Sequence, residues 1–189
     1  MKITVLDNAT LANTSLACIE QLGSLTTYDL TSPEQVIEHS KEADVLITNK
    51  VVLNRETISQ LKNLKLICVS ATGTNNVDLE AAKELGIAVT NVAGYSTPSV
   101  VQHTFSLITN LLGNTHRYQA DCQQGAWQKS EMFCRLDYSF NDLQGKTLTI
   151  IGGGTLGQAV AKVADAFGAN VVMSERKGAA CRDGRTPFD

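Results

Sequence analysis

The sequence predicts an α/β fold with parallel sheets, and three observations predict it. Short apolar runs alternate with amphipathic stretches from residue 3 to residue 90. A β-branched run at 147–151 leads into Gly152, Gly154 and Gly157. A helix and a second apolar strand follow and end on Glu175. Alternation of the first kind builds parallel strands with helices on both faces. The glycine run, with a strand before it and a helix after it, marks a βαβ unit.

The elements follow in order. Residues 3–6 form a strand, and a helical stretch ends near Leu22-Gly23. Residues 25–28 form a second strand. Ser32-Pro33-Glu34 is a helix start, with a capping hydroxyl, a proline in the first turn and an acid at the positive end; this helix runs to about Glu42. Strands are predicted at 45–48, 64–69 and 87–90, and helices at 55–61 and 79–85, the last ended by Gly86. From Pro98 to about Arg117 one long, mostly apolar helix is expected, buried over much of its circumference. A polar stretch, 114–144, follows with Trp127 as its one large apolar anchor. The predicted domains are 1–98 and 99–189. Only two strands of the second are expected, against about six in a complete doubly wound cofactor domain.

The glycine run carries the most specific chemistry. Gly152 permits a tight strand-to-helix turn. Gly154, lacking Cβ, lets the backbone approach a pyrophosphate. Gly157 lets the helix pack on the strand. Thr155 and Leu156 open the helix, where free N–H groups and the positive dipole end face an anion. Ala159, Val160, Val163, Ala164 and Phe167 give that helix an apolar face. Glu175 follows the glycines by close to the ~20 residues expected of an acid that binds the adenosine ribose. Its carboxylate repels a 2′-phosphate and favours NAD over NADP; the adjacent Arg176 and Lys177 pull the other way. The bland alternative is a glycine-rich turn with Glu175 as a solvated loop acid.

Composition excludes several classes. A net charge of −3 and the absence of a Lys/Arg stripe give no nucleic-acid footprint. No apolar run approaches the ~20 residues that cross a bilayer, and the N-terminus lacks a signal-peptide core. No membrane partner is expected, and the expected compartment is the cytoplasm. The five cysteines, Cys18, Cys68, Cys122, Cys134 and Cys181, match no zinc or C-x-x-C spacing, so no metal site is predicted. They read as reduced thiols, with Cys68 a small core residue.

With these pieces placed, the chain resembles the D-isomer-specific 2-hydroxyacid dehydrogenases, and within them the glycerate dehydrogenase/hydroxypyruvate reductase branch. The resemblance rests on LKLICVSATGTNNVDLEAAKELGIAVTNVAGYSTPSVVQHTF, on GAW at 125–127, on LQGKTLTIIGGGTLGQAVA, and on SERKGA and RTPFD near the end. It implies a flavodoxin-like substrate domain followed by the start of a Rossmann doubly wound dinucleotide-binding domain. It implies NAD as cofactor, a small 2-hydroxy or 2-oxo acid as substrate, and a homodimer paired through 99–140.

The resemblance also implies site residues. Backbone N–H groups around Thr72 and Gly73 would hold the substrate carboxylate; a plain turn is the alternative. Lys50 and Ser96 stand where the family places substrate contacts, and Thr104 where a helix faces the nicotinamide end of the cofactor. His103 is read as a packing or interface residue rather than a proton donor, and His39 and His116 as surface residues. The family's acid/base Arg, acid and His are expected beyond Asp189, so no catalytic residue is assigned. The chain alone is then expected to have little activity and to be poorly soluble or partly molten after about residue 145. Two rival readings are a non-catalytic NAD-responsive module of the corepressor type, and an inactive fragment.

Overall fold

A computed structural model describes residues 1–175, 177 and 185–186. The chain divides into two compact units, Met1–Tyr95 and Ser96–Asp189.

The first unit is a five-stranded parallel sheet. Its strands are β1 (Lys2–Val5), β2 (Ser24–Thr27), β3 (Val45–Thr48), β4 (Leu66–Val69) and β5 (Ala88–Asn91), in the order β2-β1-β3-β4-β5. This is the flavodoxin-like order, with its topological switch point between β1 and β3. Ile3 sits opposite both Leu25 and Val45, and Ile47 opposite Cys68. All four residues of β3 are buried, as a central parallel strand requires. Their side chains alternate between two cores. Val45 and Ile47 join Ile3 and Val5, covered by Leu11, Leu16 and Ile19. Leu46 joins Leu6, Ile67 and Val69, covered by Val36, Ile58, Leu61 and Ala82. The covering residues of this second core come from α2 (Val36–Ser40), α3 (Arg55–Gln60) and α4 (Leu79–Glu84), or lie just past their ends; α1 (Ala17–Glu20) supplies Ile19 to the first core. The helix start expected at Ser32-Pro33-Glu34 is present before α2, and Gln35 Oε1 adds to it by accepting from Ser32 N at 3.1 Å. Gly86 takes the left-handed conformation, φ +72°, that ends α4.

Asp44 ties the amino-terminal edge of this sheet. Its carboxylate accepts from the backbone N–H of Lys2 at 2.8 Å and from Lys65 Nζ at 2.9 Å. The Lys65 hydrogen bond first, then that of Lys2, holds the Asp44 carboxyl below its usual value. A depressed folded-state pKa contributes stability above the unfolded value and loses it as pH falls through the folded one. Asp44→Asn is therefore expected to lower Tm by about 2 °C at pH 7. The gap to the parent should close below about pH 4, in thermal melts across pH 3 to 7.

The second unit holds β6 (Thr147–Ile151), β7 (Asn170–Ser174) and β8 (Arg185–Thr186), parallel and in that order. The third strand corrects the expectation of two. With α7 (Thr155–Ala166) and α5 (Thr97–Gly113), β6 and β7 enclose a core of Phe105, Ala164 and Ala169, flanked by Val101, Ile108, Leu148, Val160, Val163 and Val171. The Phe105 and Phe167 rings stack with centroids 5.4 Å apart.

Four further expectations are corrected. The long helix ends at Gly113, not near Arg117. Asn114 turns left-handed, φ 50°, and a separate α6 (Thr115–Gln123) begins after it. Asn114 Nδ2 donates to Ser139 O at 2.7 Å, which holds that break. Within α5 only Phe105 and Gly113 are buried, while Leu107 and Leu111 are exposed. Trp127 is 52% exposed and joins none of the hydrophobic cores among the described residues. The stretch after α5 is instead held by a polar cluster. Tyr138 Oη donates to Asp121 at 3.1 Å, Tyr118 Oη donates to Tyr138 O at 3.0 Å, and Arg135 reaches both Asp137 and Ala126 O at 2.9 Å. The Asp121 carboxylate, accepting the hydroxyl, raises the Tyr138 phenol above its ordinary value. His39 is half-buried rather than a surface residue. It stacks on Tyr28 at 3.6 Å, and its Nδ1 lies 2.9 Å from Thr31 Oγ1. Arg176 and Cys181, and most of the SERKGA and RTPFD segments, lie outside the described residues.

Candidate functional site

In the first unit the chemistry gathers at the carboxyl ends of the strands, where α/β sheets bind ligands. Asp7 follows β1 and is buried at 3% exposure. It precedes the 3₁₀ turn Asn8–Leu11, yet its side chain does not cap that turn. The carboxylate turns instead to the segment after β3. It accepts from Lys50 N at 2.7 Å, from Asn49 N at 3.0 Å and from Thr48 Oγ1 at 3.3 Å. Thr48 Oγ1 in turn accepts from Val51 N at 3.0 Å. These bonds fix the backbone that carries Lys50, whose side chain is exposed and has no ion pair among the described residues.

The next loop is tied to this one. Asn76 Nδ2 donates to Val51 O at 3.0 Å, and Leu53 N donates to Asn76 O at 2.8 Å. The loop after β4 is tied onward to the end of β5. Asn91 Nδ2 donates to Thr72 O at 2.7 Å, and Thr72 Oγ1 donates to Val92 O at 2.9 Å. The backbone N–H groups of Thr72 and Gly73 donate to no acceptor among the described residues. Lys50, Thr72 and Gly73 thus lie at one sheet edge, after adjacent strands. Sequence reasoning missed Asp7, Asn76 and Asn91. The only local signal for Asp7 is an acid directly after the apolar run ITVL. A cleft of about 570 Å³ opens at the same edge beside the switch point, with Asp7, Lys50, Thr31, Leu30, Val36 and Val52 in its wall.

In the second unit the glycines form one turn. Gly152 has φ +100°, a conformation that favours glycine. Gly154, φ −77° and extended, occupies the cap position before α7, with nothing within 4 Å of where a Cβ would stand. A Cβ on Gly157 would meet Gly152 O at 2.1 Å and Ile150 Cγ2 at 3.2 Å. Only glycine allows α7 to start this close to β6. Thr155 and Leu156 begin the helix and are both exposed; N–H groups of a first turn have no partner within their own helix. Gly152 N donates to Ser174 O at 3.0 Å, which brings the glycine turn beside the end of β7. Glu175 follows there and is 7% exposed, not a solvated loop acid. Open space over Gly154, a helix start and an acid at the next strand's end fit a dinucleotide.

The remaining residues sit on or before α5. Ser96 is half-buried at the position before the helix, without a side-chain cap bond. Thr104 is half-buried and donates to Val100 O at 2.8 Å. His103 is exposed beside Ser99, Gln102 and Ser106. His116 Nδ1 lies 3.2 Å from Asn110 Oδ1. The described residues contain no cluster able to hold a metal ion, and no helix among them is long and apolar enough to cross a membrane.

Comparison with known proteins accords with this geometry. The family described as "D-isomer specific 2-hydroxyacid dehydrogenase, catalytic domain" matches residues 3–174. A Haemophilus influenzae protein with a provisional 2-hydroxyacid dehydrogenase name is 48% identical over 165 residues, covering 87% of this chain and 52% of that protein. The glycerate dehydrogenase of Methylorubrum extorquens is 41% identical over 141 residues, covering 75% and 45%. The crystal structure of the TT0316 protein from Thermus thermophilus superposes with a TM-score of 0.77 at 28% identity, covering all of this chain and 60% of that one. The chain spans about half the length of the curated relatives it matches. With a family match over nearly its whole length, the chain belongs to the D-isomer specific 2-hydroxyacid dehydrogenases.

Proposed function

We propose that this chain is the substrate- and NAD-binding part of an oxidoreductase that interconverts D-glycerate and hydroxypyruvate, or reduces glyoxylate. The observation that carries the reading is the glycine turn: open space over Gly154, Gly157 seated on Gly152, and buried Glu175 beside it. Gly152, Gly154, Thr155, Leu156 and Gly157 would take the diphosphate on backbone N–H groups, and Glu175 the adenosine ribose hydroxyls. Thr104 would face the nicotinamide end. When bound, the dinucleotide supplies the hydride acceptor or donor.

The substrate carboxylate would rest on the N–H groups of Thr72 and Gly73 and on the Lys50 ammonium, with Ser96 as a further polar contact. The unpaired N–H groups of the first two support this role. No residue of the chain is given the acid/base role. The proposed assembly is a homodimer through 99–140, a reading supported by the exposed Leu107, Leu111, Met132, Phe133 and Leu136. The proposed compartment is the cytoplasm, in keeping with four free cysteines among the described residues.

The test uses Gly154→Ala. The site has an ordinary φ and room for a Cβ. Tm should therefore stay within about 1 °C of the parent, a small shift as for surface changes. NADH affinity, read by fluorescence, should fall about tenfold or more, because the methyl stands where a diphosphate must approach. Unchanged NADH affinity would overturn the cofactor assignment. NADH oxidation with hydroxypyruvate, glyoxylate and pyruvate, assayed on the longer parent protein that this reading implies, then separates the substrates.

A further inference from the structure

We propose that Asp7 is a positioning residue for substrate binding. Its buried carboxylate holds the backbone of Asn49 and Lys50 so that the Lys50 ammonium meets a carboxylate as part of a preformed surface. The inference rests on the reading of Lys50 and Thr72-Gly73 as carboxylate contacts.

Asp7 is the one buried charged residue of the first unit among those described. A charge taken from water is retained only where donors replace the lost hydration. Here the donors are two backbone N–H groups and a hydroxyl, and no described cation pairs with Asp7. An acid serving only local structure would cap the 3₁₀ turn that begins at the next residue. Asp7 instead reaches a segment more than forty residues away, at the point where Lys50 leaves the sheet. Charge-assisted bonds to backbone N–H are short and strong, and the 2.7 Å bond falls on Lys50 itself.

The same segment is bonded through Asn76 to the loop after β4, and that loop through Asn91 to the end of β5. The loops that carry the proposed contacts are therefore one network, with Asp7 at its β1 end. Rigid support of this kind sets geometry within a fraction of an ångström, on which recognition depends. Asp7 lies in the wall of the cleft, yet all its described bonds go to protein donors. It acts through Lys50 rather than on the ligand.

The experiment is a double-mutant cycle with Asp7→Asn and Lys50→Met. D-glycerate is titrated into the NADH-saturated protein, followed by backbone amide shifts at 49–51 and 71–73. Ligand and cofactor are both reduced, so no hydride moves. Each single variant should weaken D-glycerate about tenfold, and the double variant should be no weaker than Lys50→Met within about twofold. NADH affinity should not change. A product of the two single effects, or no effect of Asp7→Asn beside a clear effect of Lys50→Met, overturns the positioning role alone. No effect of either, with no shift at 71–73, overturns the substrate-contact reading and the inference with it. If Asp7→Asn fails to fold, Thr48→Val replaces it. That change removes the hydroxyl between Asp7 and Val51 N and should give a smaller loss in the same direction. Unchanged D-glycerate affinity in Thr48→Val then overturns the proposal.

Discussion

Gly157→Ala is expected to unfold the cofactor-binding turn and abolish measurable NADH binding. Helix propensity alone predicts the opposite sign, since alanine is favoured over glycine inside a helix by roughly 1 kcal/mol. Contact decides against it. The new Cβ would stand 2.1 Å from Gly152 O and 3.2 Å from the carbonyl carbon behind it. The obstacle is backbone, so no rotamer change relieves it. Relief requires α7 to move off β6 or the Gly152 turn to open, and both lose packing around Val160, Val163 and Ala164. Overpacking of this kind costs about 1–3 kcal/mol where neighbours yield, and here the neighbour is held by Gly152 N donating to Ser174 O. A loss near 3 kcal/mol lowers Tm by about 15 °C for a unit of this size. Thermal melts of Gly157→Ala beside Gly154→Ala make the measurement. The second should melt with the parent and the first far below it. Equal melting of the two would show that the close approach of helix to strand is not a constraint.

That contrast also shows what the sequence made legible. The glycine turn was readable because its constraint is local: a strand, three glycines and a helix follow one another within residues 147–166. The sheet was readable for a similar reason. Val45–Thr48 is apolar or β-branched at every position and buried at every position. What escaped was set by partners distant in the chain. Asp7 looks like any acid after a strand until β3 is known to lie beside β1; only then does its carboxylate meet Asn49 and Lys50. The end of α5 escaped because Asn114 takes a left-handed turn held by Ser139, a partner in an irregular stretch without periodicity. The size of Trp127 points to an anchor, yet Tyr118, Tyr138, Asp121 and Arg135 organise that stretch through polar contacts that no hydrophobic pattern announces.

Glu175→Gln should shift the NADH-to-NADPH preference by about 100-fold toward NADPH. Glu175 closes β7 beside the glycine turn and is 7% exposed. Two effects add. An ionised carboxylate accepts from both ribose hydroxyls, and an amide does so more weakly, so NADH should bind about tenfold less tightly. A 2′-phosphate placed near that carboxylate meets like charge. The Coulomb term for unit charges 4 Å apart reaches about 4 kcal/mol at an effective dielectric of 20, so about tenfold gained by NADPH is a modest share of it. The ratio of the two dissociation constants is the quantity to measure, because any general loosening of the strand end by the substitution weakens both cofactors and cancels. Salt supplies a second check. Repulsion is screened, so the parent's discrimination should narrow as ionic strength rises, while Glu175→Gln should show little salt dependence in the ratio. A parent protein that prefers NADPH, or a ratio unmoved by Glu175→Gln, would refute the assignment of this carboxylate to the adenosine ribose.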